Sequence, residues 1–186
     1  MDTLEKYTGE RTIWYNPGSH LKEFRQIANY YMEAMEHAKG KLVVDVGCGN
    51  GFGTFLLSLV AEHVYGIDVY HPVELEEERY RLPFQSKVAK FLQLDLEKEP
   101  VDITADLCVA IELIEHLENP SFFLSNLKAN SLFFTIPCYG NKNPYHKIEY
   151  DEEKAAALIR MFFPHLTYRM EARRMIGYAY KEELLP

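Results

Sequence analysis

Leu42-Val43-Val44-Asp45-Val46-Gly47-Cys48-Gly49-Asn50-Gly51-Phe52-Gly53 is the stretch that decides how this chain folds. Leu42 to Val46 is apolar and β-branched except at Asp45, the composition of a strand buried on both faces of a parallel sheet. Glycines then stand at alternate positions, and Thr54 to Val60 reads as a helix. Strand, glycine turn and helix together suit a nucleotide. Residues without side chains let the backbone approach a ligand, and N–H groups at a helix start point toward it. His63 to Val69 supplies a second strand, which runs into Asp68 about 20 residues after the first glycine, where a carboxylate can hold ribose hydroxyls.

The rest of the chain continues the alternation. Ala89 to Leu96 predicts a third strand and Ala105 to Ile111 a fourth. Asn119-Pro120 caps and opens a helix through Phe122, Phe123 and Leu127. A short turn, Lys128-Ala129-Asn130, leads to a fifth strand over Ser131–Ile136, halted by Pro137. Residues 137–150, rich in Pro, Asn and Gly, read as a loop, and Asp151 caps a last helix that ends at Phe162-Phe163-Pro164. Leu166, Tyr168 and Met170 alternate, as do Ile176, Tyr178 and Tyr180, so two strands close the chain. Upstream, residues 1–20 are polar and irregular. Leu21, Phe24, Ala28, Tyr31 and Met35 then recur at helical spacing up to a stop at Gly40. Between Asp68 and Lys87 a charged stretch reads as a short helix broken near Pro83.

Strands alternating with helices imply an α/β fold, a parallel sheet covered on both faces. At 186 residues the chain is one domain, with 1–40 a helical segment ahead of a core over 41–186. The formal net charge is −8, and its densest acidic run is Glu76-Glu77-Glu78. That balance argues against a nucleic-acid partner, which basic patches attract. Cys48, Cys108 and Cys138 are scattered, without metal-ligand spacing, and read as the reduced thiols of a cytoplasmic protein. No run approaches transmembrane length, so no membrane insertion is expected.

The order Asp45-x-Gly47-x-Gly49-x-Gly51 differs from the G-x-G-x-x-G of dinucleotide sites, because the acid comes first. It resembles the first motif of class I S-adenosylmethionine (SAM) methyltransferases. The resemblance continues through Gly9-Glu10-Arg11, Gly66-Ile67-Asp68, Asp95-Leu96, Glu112-x-x-Glu115-His116-x-x-x-Pro120 and Asn143-Pro144-Tyr145-His146. They fall in the order seen in bacterial methyltransferases of the small-molecule, ubiquinone-biosynthesis-like and glycan-associated kind. It implies a Rossmann-like, mostly parallel seven-stranded sheet with helices on both faces and an antiparallel strand near one edge. It also implies SAM as cofactor. Gly47, Cys48, Gly49 and Gly51 would give backbone to its methionine part, and Asp45 would help hold the ammonium. Asp68 would accept from the ribose hydroxyls and Val69 would pack on the adenine. Asp95 would accept from the adenine amino group, the Leu96 N–H would donate to the ring, and Ile111 would offer its carbonyl near the ammonium. The helix before the first strand would either close over the cofactor or merely cover a sheet edge.

Methyl transfer from a sulfonium to a hydroxyl needs alignment and removal of one proton. His116, just after the fourth strand, and His146, in the loop after the fifth, are the candidate bases, since imidazole titrates near working pH. Alternatively, Glu115 and His116 start a helix and fix the loop. Glu112, Glu115, His116 and His146 also resemble the metal-binding set of small-RNA 2′-O-methyltransferases, which suits a divalent ion. The favoured reading needs no metal and takes a small-molecule or glycan-like acceptor, with the chain a monomer or homodimer. An inert SAM sensor or complex subunit is the other alternative. Cys108, inside a strand, is no nucleophile. Tyr7, Trp14, Tyr15 and Phe52 either form an aromatic lid or pack.

Overall fold

A computed structural model describes residues 21–69, 88–140 and 143–182. The expectations for Tyr7, Gly9-Glu10-Arg11, Trp14 and Tyr15, and for a short helix before Lys87, lie outside the described residues. Within them the chain runs α1 (Leu21–Ala38), β1 (Leu42–Val46), α2 (Phe52–Ser58), β2 (His63–Asp68), β3 (Ala89–Gln93) and β4 (Ala105–Ile111). A 3-10 turn (Ile114–His116), α3 (Pro120–Ser125), β5 (Ala129–Pro137), α4 (Glu152–Phe162), β6 (His165–Glu171) and β7 (Arg174–Tyr180) follow.

The seven strands form one sheet in the order β3-β2-β1-β4-β5-β7-β6. β1 to β5 are parallel, and β7 is inserted antiparallel between β5 and the edge strand β6. The Rossmann-like sheet of the sequence reading is therefore present, its antiparallel strand one place in from the edge. The chain moves outward from β1 to β3, then returns to the other side of β1 with β4. The carboxyl ends of β1 and β4 thus flank the switch point where such sheets bind ligands.

Alternation along the strands divides the core. Val43, Val64, Leu107, Val109, Phe133 and Ile176 face α1 and α2, where Tyr30, Tyr31, Ala34 and Ala38 cover them. Val44, Val46, Cys108, Ala110, Leu132 and Phe134 face α3 and α4, meeting Phe123, Leu124, Ala155, Ala156 and Ile159. α1 therefore covers the middle of a sheet face, and it is fastened at several points. Phe24 lies 5.1 Å from Phe52 at the start of α2, His37 stacks on Tyr178 of β7 at 4.2 Å, and Glu33 makes a two-pronged ion pair with Arg169 of β6 at 2.6 and 2.7 Å.

Element boundaries moved for physical reasons. β3 stops at Gln93 rather than Leu96. Its neighbour β2 ends at Asp68, opposite Gln93, and Leu94 N–H makes one last bond, to the Asp68 carbonyl at 2.9 Å. The predicted turn Lys128-Ala129-Asn130 is absent as such: Ala129 already pairs with Ala105, and the Asn130 carbonyl accepts from Lys181 N–H. α2 starts at Phe52, capped by left-handed Gly51.

β6 and β7 are joined by Ala172 and Arg173 alone, between the paired residues Glu171 and Arg174. Both have positive φ, 46° and 65°. That is the two-residue hairpin turn whose twist matches the strands, and it normally uses Asn-Gly because other side chains are strained there. Replacing Ala172→Asn and Arg173→Gly together should stabilise the protein by about 1–2 kcal/mol. Denaturant unfolding checks this, with an upward shift of the midpoint expected.

Candidate cofactor and acceptor site

The glycine turn is held from beneath. Asp45 is fully buried at the centre of β1; one oxygen accepts from the Tyr31 hydroxyl of α1 at 3.1 Å and the other from Thr54 Oγ1 of α2 at 2.6 Å. Burial pushes its carboxyl up to about 7. The Tyr31 ring lies so close over Gly53 that a Cβ there would fall 1.8 Å from it, so residue 53 must be glycine for α1 to reach Asp45. Asp45 was expected to hold a ligand ammonium. Both its oxygens instead hold side chains of the chain itself, and it ties α1, the turn and α2 together.

Gly47, Gly49 and Gly51 all have positive φ, at 68°, 57° and 82°. Most N–H groups of the turn are used internally, contrary to the simple picture of a row pointing at a ligand. Gly47 and Cys48 donate to the Ile67 carbonyl at 2.8 and 3.1 Å, Gly51 to the Cys48 carbonyl at 3.0 Å, and Phe52 to the Asn50 side chain at 3.2 Å. Gly49 N–H donates to Asp68 Oδ2 at 2.9 Å. Leu113 fills the space beside Gly47 and Phe91 that beside Gly51, whereas a Cβ at Gly49 would meet nothing within 4 Å. The open side of the turn is therefore at Gly49, next to Asp68.

Asp68 ends β2 and is 8% exposed; Val69 after it is 48% exposed, an apolar surface at the mouth. Asp95, expected to accept from an adenine amino group, also has partners within the chain. Its two oxygens accept from Lys98 Nζ at 2.7 Å and Glu97 N–H at 3.1 Å, and the Lys98 bond holds its carboxyl below the usual range. It is a turn aspartate. The Leu96 side chain lies in the core, while its N–H has no partner among the described residues. Ile111 ends β4 nearly buried, beside Thr135 of β5.

On the other side of the switch point, β4 runs into the acid–imidazole segment. Glu115 is fully buried, and its carbonyl accepts from Lys147 and Ile148 N–H at 2.8 and 3.2 Å, which docks the loop after β5. His116 Nδ1 lies 3.1 Å from the Tyr145 carbonyl, its Nε2 3.8 Å from Glu115 Oε1, and its ring edge-on to His146 at 4.9 Å. A carbonyl only accepts, so Nδ1 carries the proton in the neutral ring and Nε2 the lone pair. Ligand atoms of Glu115, His116 and His146 all lie within 4.8 Å of one another, so three of the four residues of the possible metal set converge.

Glu112 does not join them. It has positive φ (50°); its N–H and Oε1 both engage Thr135 Oγ1, at 3.0 and 2.9 Å, and its Oε2 accepts from Arg174 Nε at 3.0 Å. The donor set present is thus one carboxylate and two imidazoles, which fits a four-ligand divalent site incompletely. Arg174 went unnoticed in the sequence, since nothing local marks a residue that meets a carboxylate 62 positions away. Burial raises the thiol pKa of Cys108 strongly and that of Cys138 to about 11, so neither is a nucleophile near neutral pH.

Residues 44–129 match the family described as methyltransferase domain. That stretch, just under half of the chain, is thus similar to a methyltransferase domain. It is 26% identical over 148 residues to ubiquinone biosynthesis O-methyltransferase of Coxiella burnetii, covering 72% of this chain and 61% of that protein. The chain thus spans about three fifths of the length of that relative. Among solved structures, a SAM-dependent methyltransferase from Aquifex aeolicus superposes with a TM-score of 0.62 at 22% identity, covering 83% of this chain and 89% of that one. The methyltransferase domain of bacterial CtHen1-CN does so with 0.62 at 20% identity, covering 84% and 98%. These likenesses show the class I fold. No helix among the described residues is long and apolar enough to cross a membrane.

The buried acid gives a test of the site's architecture. Asp45 keeps its proton up to about pH 7 when folded, but only to about pH 4 when unfolded. The folded state therefore binds more protons between those values, and its stability falls as pH rises through that window. The stability difference between wild type and Asp45→Asn should shift against wild type from pH 4 to 7 and level off above. Thermal unfolding at a series of pH values checks it.

Proposed function

We propose that this methyltransferase moves the methyl group of SAM to a hydroxyl oxygen of a small or glycan-like acceptor, with His116 as general base. SAM lies across the carboxyl ends of β1, β2 and β4. Its methionine part passes over the Gly47–Gly51 turn, its ribose hydroxyls donate to Asp68, and its adenine rests on Val69 and accepts from Leu96 N–H. Ile111 offers its carbonyl toward the ammonium. Asp45 acts from below, fixing the turn. The acceptor oxygen attacks the methyl carbon in line with the breaking C–S bond. The bond's electron pair goes to sulfur, leaving S-adenosylhomocysteine (SAH), and the hydroxyl proton passes to His116 Nε2. The observation that carries this reading is the contact of His116 Nδ1 with the Tyr145 carbonyl at 3.1 Å: a carbonyl only accepts, so the neutral ring has its lone pair at Nε2, with Glu115 Oε1 3.8 Å away. His146, edge-on to that ring, either relays the proton or positions His116. The name of the ubiquinone-biosynthesis relative supports oxygen as the acceptor atom.

A second reading has its own observation. The convergence of Glu115, His116 and His146, three of the residues that resemble the metal-binding set of small-RNA 2′-O-methyltransferases, favours a metal-dependent methyltransferase of RNA ends. Against it stand the engagement of Glu112 by Arg174 and the net charge of −8. An inert SAM-binding sensor predicts SAH binding with no turnover.

SAH release should be measured with small hydroxylated sugars and phenols and, separately, with short RNA ends, each with and without EDTA. Release with the small hydroxyl pool, unaffected by EDTA, is expected; release with RNA alone, abolished by EDTA, selects the metal reading. His116→Ala should lower turnover by about 10²-fold or more with SAM affinity nearly unchanged. Loss of both together makes His116 structural. Asp68→Ala should weaken SAM binding by about 2 kcal/mol through lost charge-assisted bonds. An unchanged dissociation constant refutes the ribose placement.

A further inference from the structure

We propose that Arg174 is an acceptor-binding residue, and that the acceptor carries a carboxylate beside the hydroxyl that is methylated. The inference rests on the methyltransferase reading above and adds the chemical class of its substrate. Arg174 opens β7 opposite Pro137, at the carboxyl end of β5. Glu112 follows the carboxyl end of β4. Both stand at the edge of the sheet where the acceptor must enter, and Glu112, which holds Arg174, lies in the same segment after β4 as Glu115 and His116.

The guanidinium is half-committed. Nε donates to Glu112 Oε2 at 3.0 Å, and Glu112 is itself held by Thr135, so the planar group has a fixed orientation. Among the described residues the two terminal nitrogens make no hydrogen bond, and the side chain keeps 25% of its surface exposed. An arginine so anchored presents one remaining two-nitrogen edge, the fork that matches a carboxylate in a bidentate pair. Glu112 moderates the charge and leaves the donors, which favours a single carboxylate over a polyanion.

The methionine carboxylate of SAM offers the same chemistry. The β7 backbone, however, stands three strands from β1 in the sheet order, about 14 Å at the usual strand spacing. The acceptor is the nearer source, and the test separates the two.

SAH-saturated protein is titrated calorimetrically with 3,4-dihydroxybenzoate and with 4-methylcatechol, which differs in having a methyl for the carboxylate. Wild type should prefer the benzoate by about tenfold or more, the scale of a bidentate charge-assisted pair. Arg174→Met should abolish the preference and Arg174→Lys should retain part of it. Lysine keeps the charge beside Glu112, so it also controls for misfolding. SAH affinity should be the same in all three proteins. Equal binding of the two ligands, failure of the benzoate to bind, or a preference that survives Arg174→Met overturns the proposal. Loss of SAH affinity in Arg174→Met overturns it too, assigning the guanidinium to the cofactor's carboxylate. Wild type that binds no SAH at all removes the methyltransferase reading itself.

Discussion

A carboxylate placed at the centre of an apolar strand is the constraint on which the site depends. Asp45 cannot reach water, so it must find donors from its own chain. It finds Thr54 on the helix after the glycine turn and Tyr31 on the helix before the strand. Three consecutive elements are thereby fixed around one side chain. The price of that arrangement is local: residue 53 can carry no side chain, because the Tyr31 ring occupies its place. The glycine turn is rigid from below and open above, beside Gly49 and Asp68. This is the preorganisation a ligand site needs.

Beyond the switch point the construction is different. Here polar groups are gathered from distant parts of the chain. Glu115 fixes the loop after β5 through its carbonyl, and that loop returns the Tyr145 carbonyl that sets the tautomer of His116. Arg174 and Thr135 hold Glu112 apart from the histidines. The two sides of the switch point thus obey different rules, a local motif on one side and a long-range assembly on the other.

That difference explains what could be read in the sequence. Buried parallel strands are nearly uninterrupted apolar runs, so β1, β2, β4 and β5 were legible, as were the caps Asn119 and Asp151, which accept from Phe122 and Lys154 N–H. The glycine spacing located the turn. It did not reveal that Asp45 faces inward, because the donor that turns it is Tyr31, 14 residues upstream on a helix that periodicity alone could not dock. Asp95 shows what a pattern leaves open: a strand-ending aspartate looks the same in sequence whatever it meets, and here it accepts from Lys98 and Glu97 N–H. The Ala172-Arg173 turn carries no Asn or Gly to announce it. Between Glu112 and Arg174 lie α3, β5, a loop, α4 and β6, and no pattern along the chain encodes their pairing.

The measurement closest to the central claim is hydrogen–deuterium exchange of the full chain with and without SAH. The account predicts slower exchange concentrated in 47–53, 68–69 and 95–97, and in α1, which is bonded to that turn through Tyr31 and Asp45. Exchange left unchanged by SAH, or protection confined to other parts of the sheet, would contradict the account.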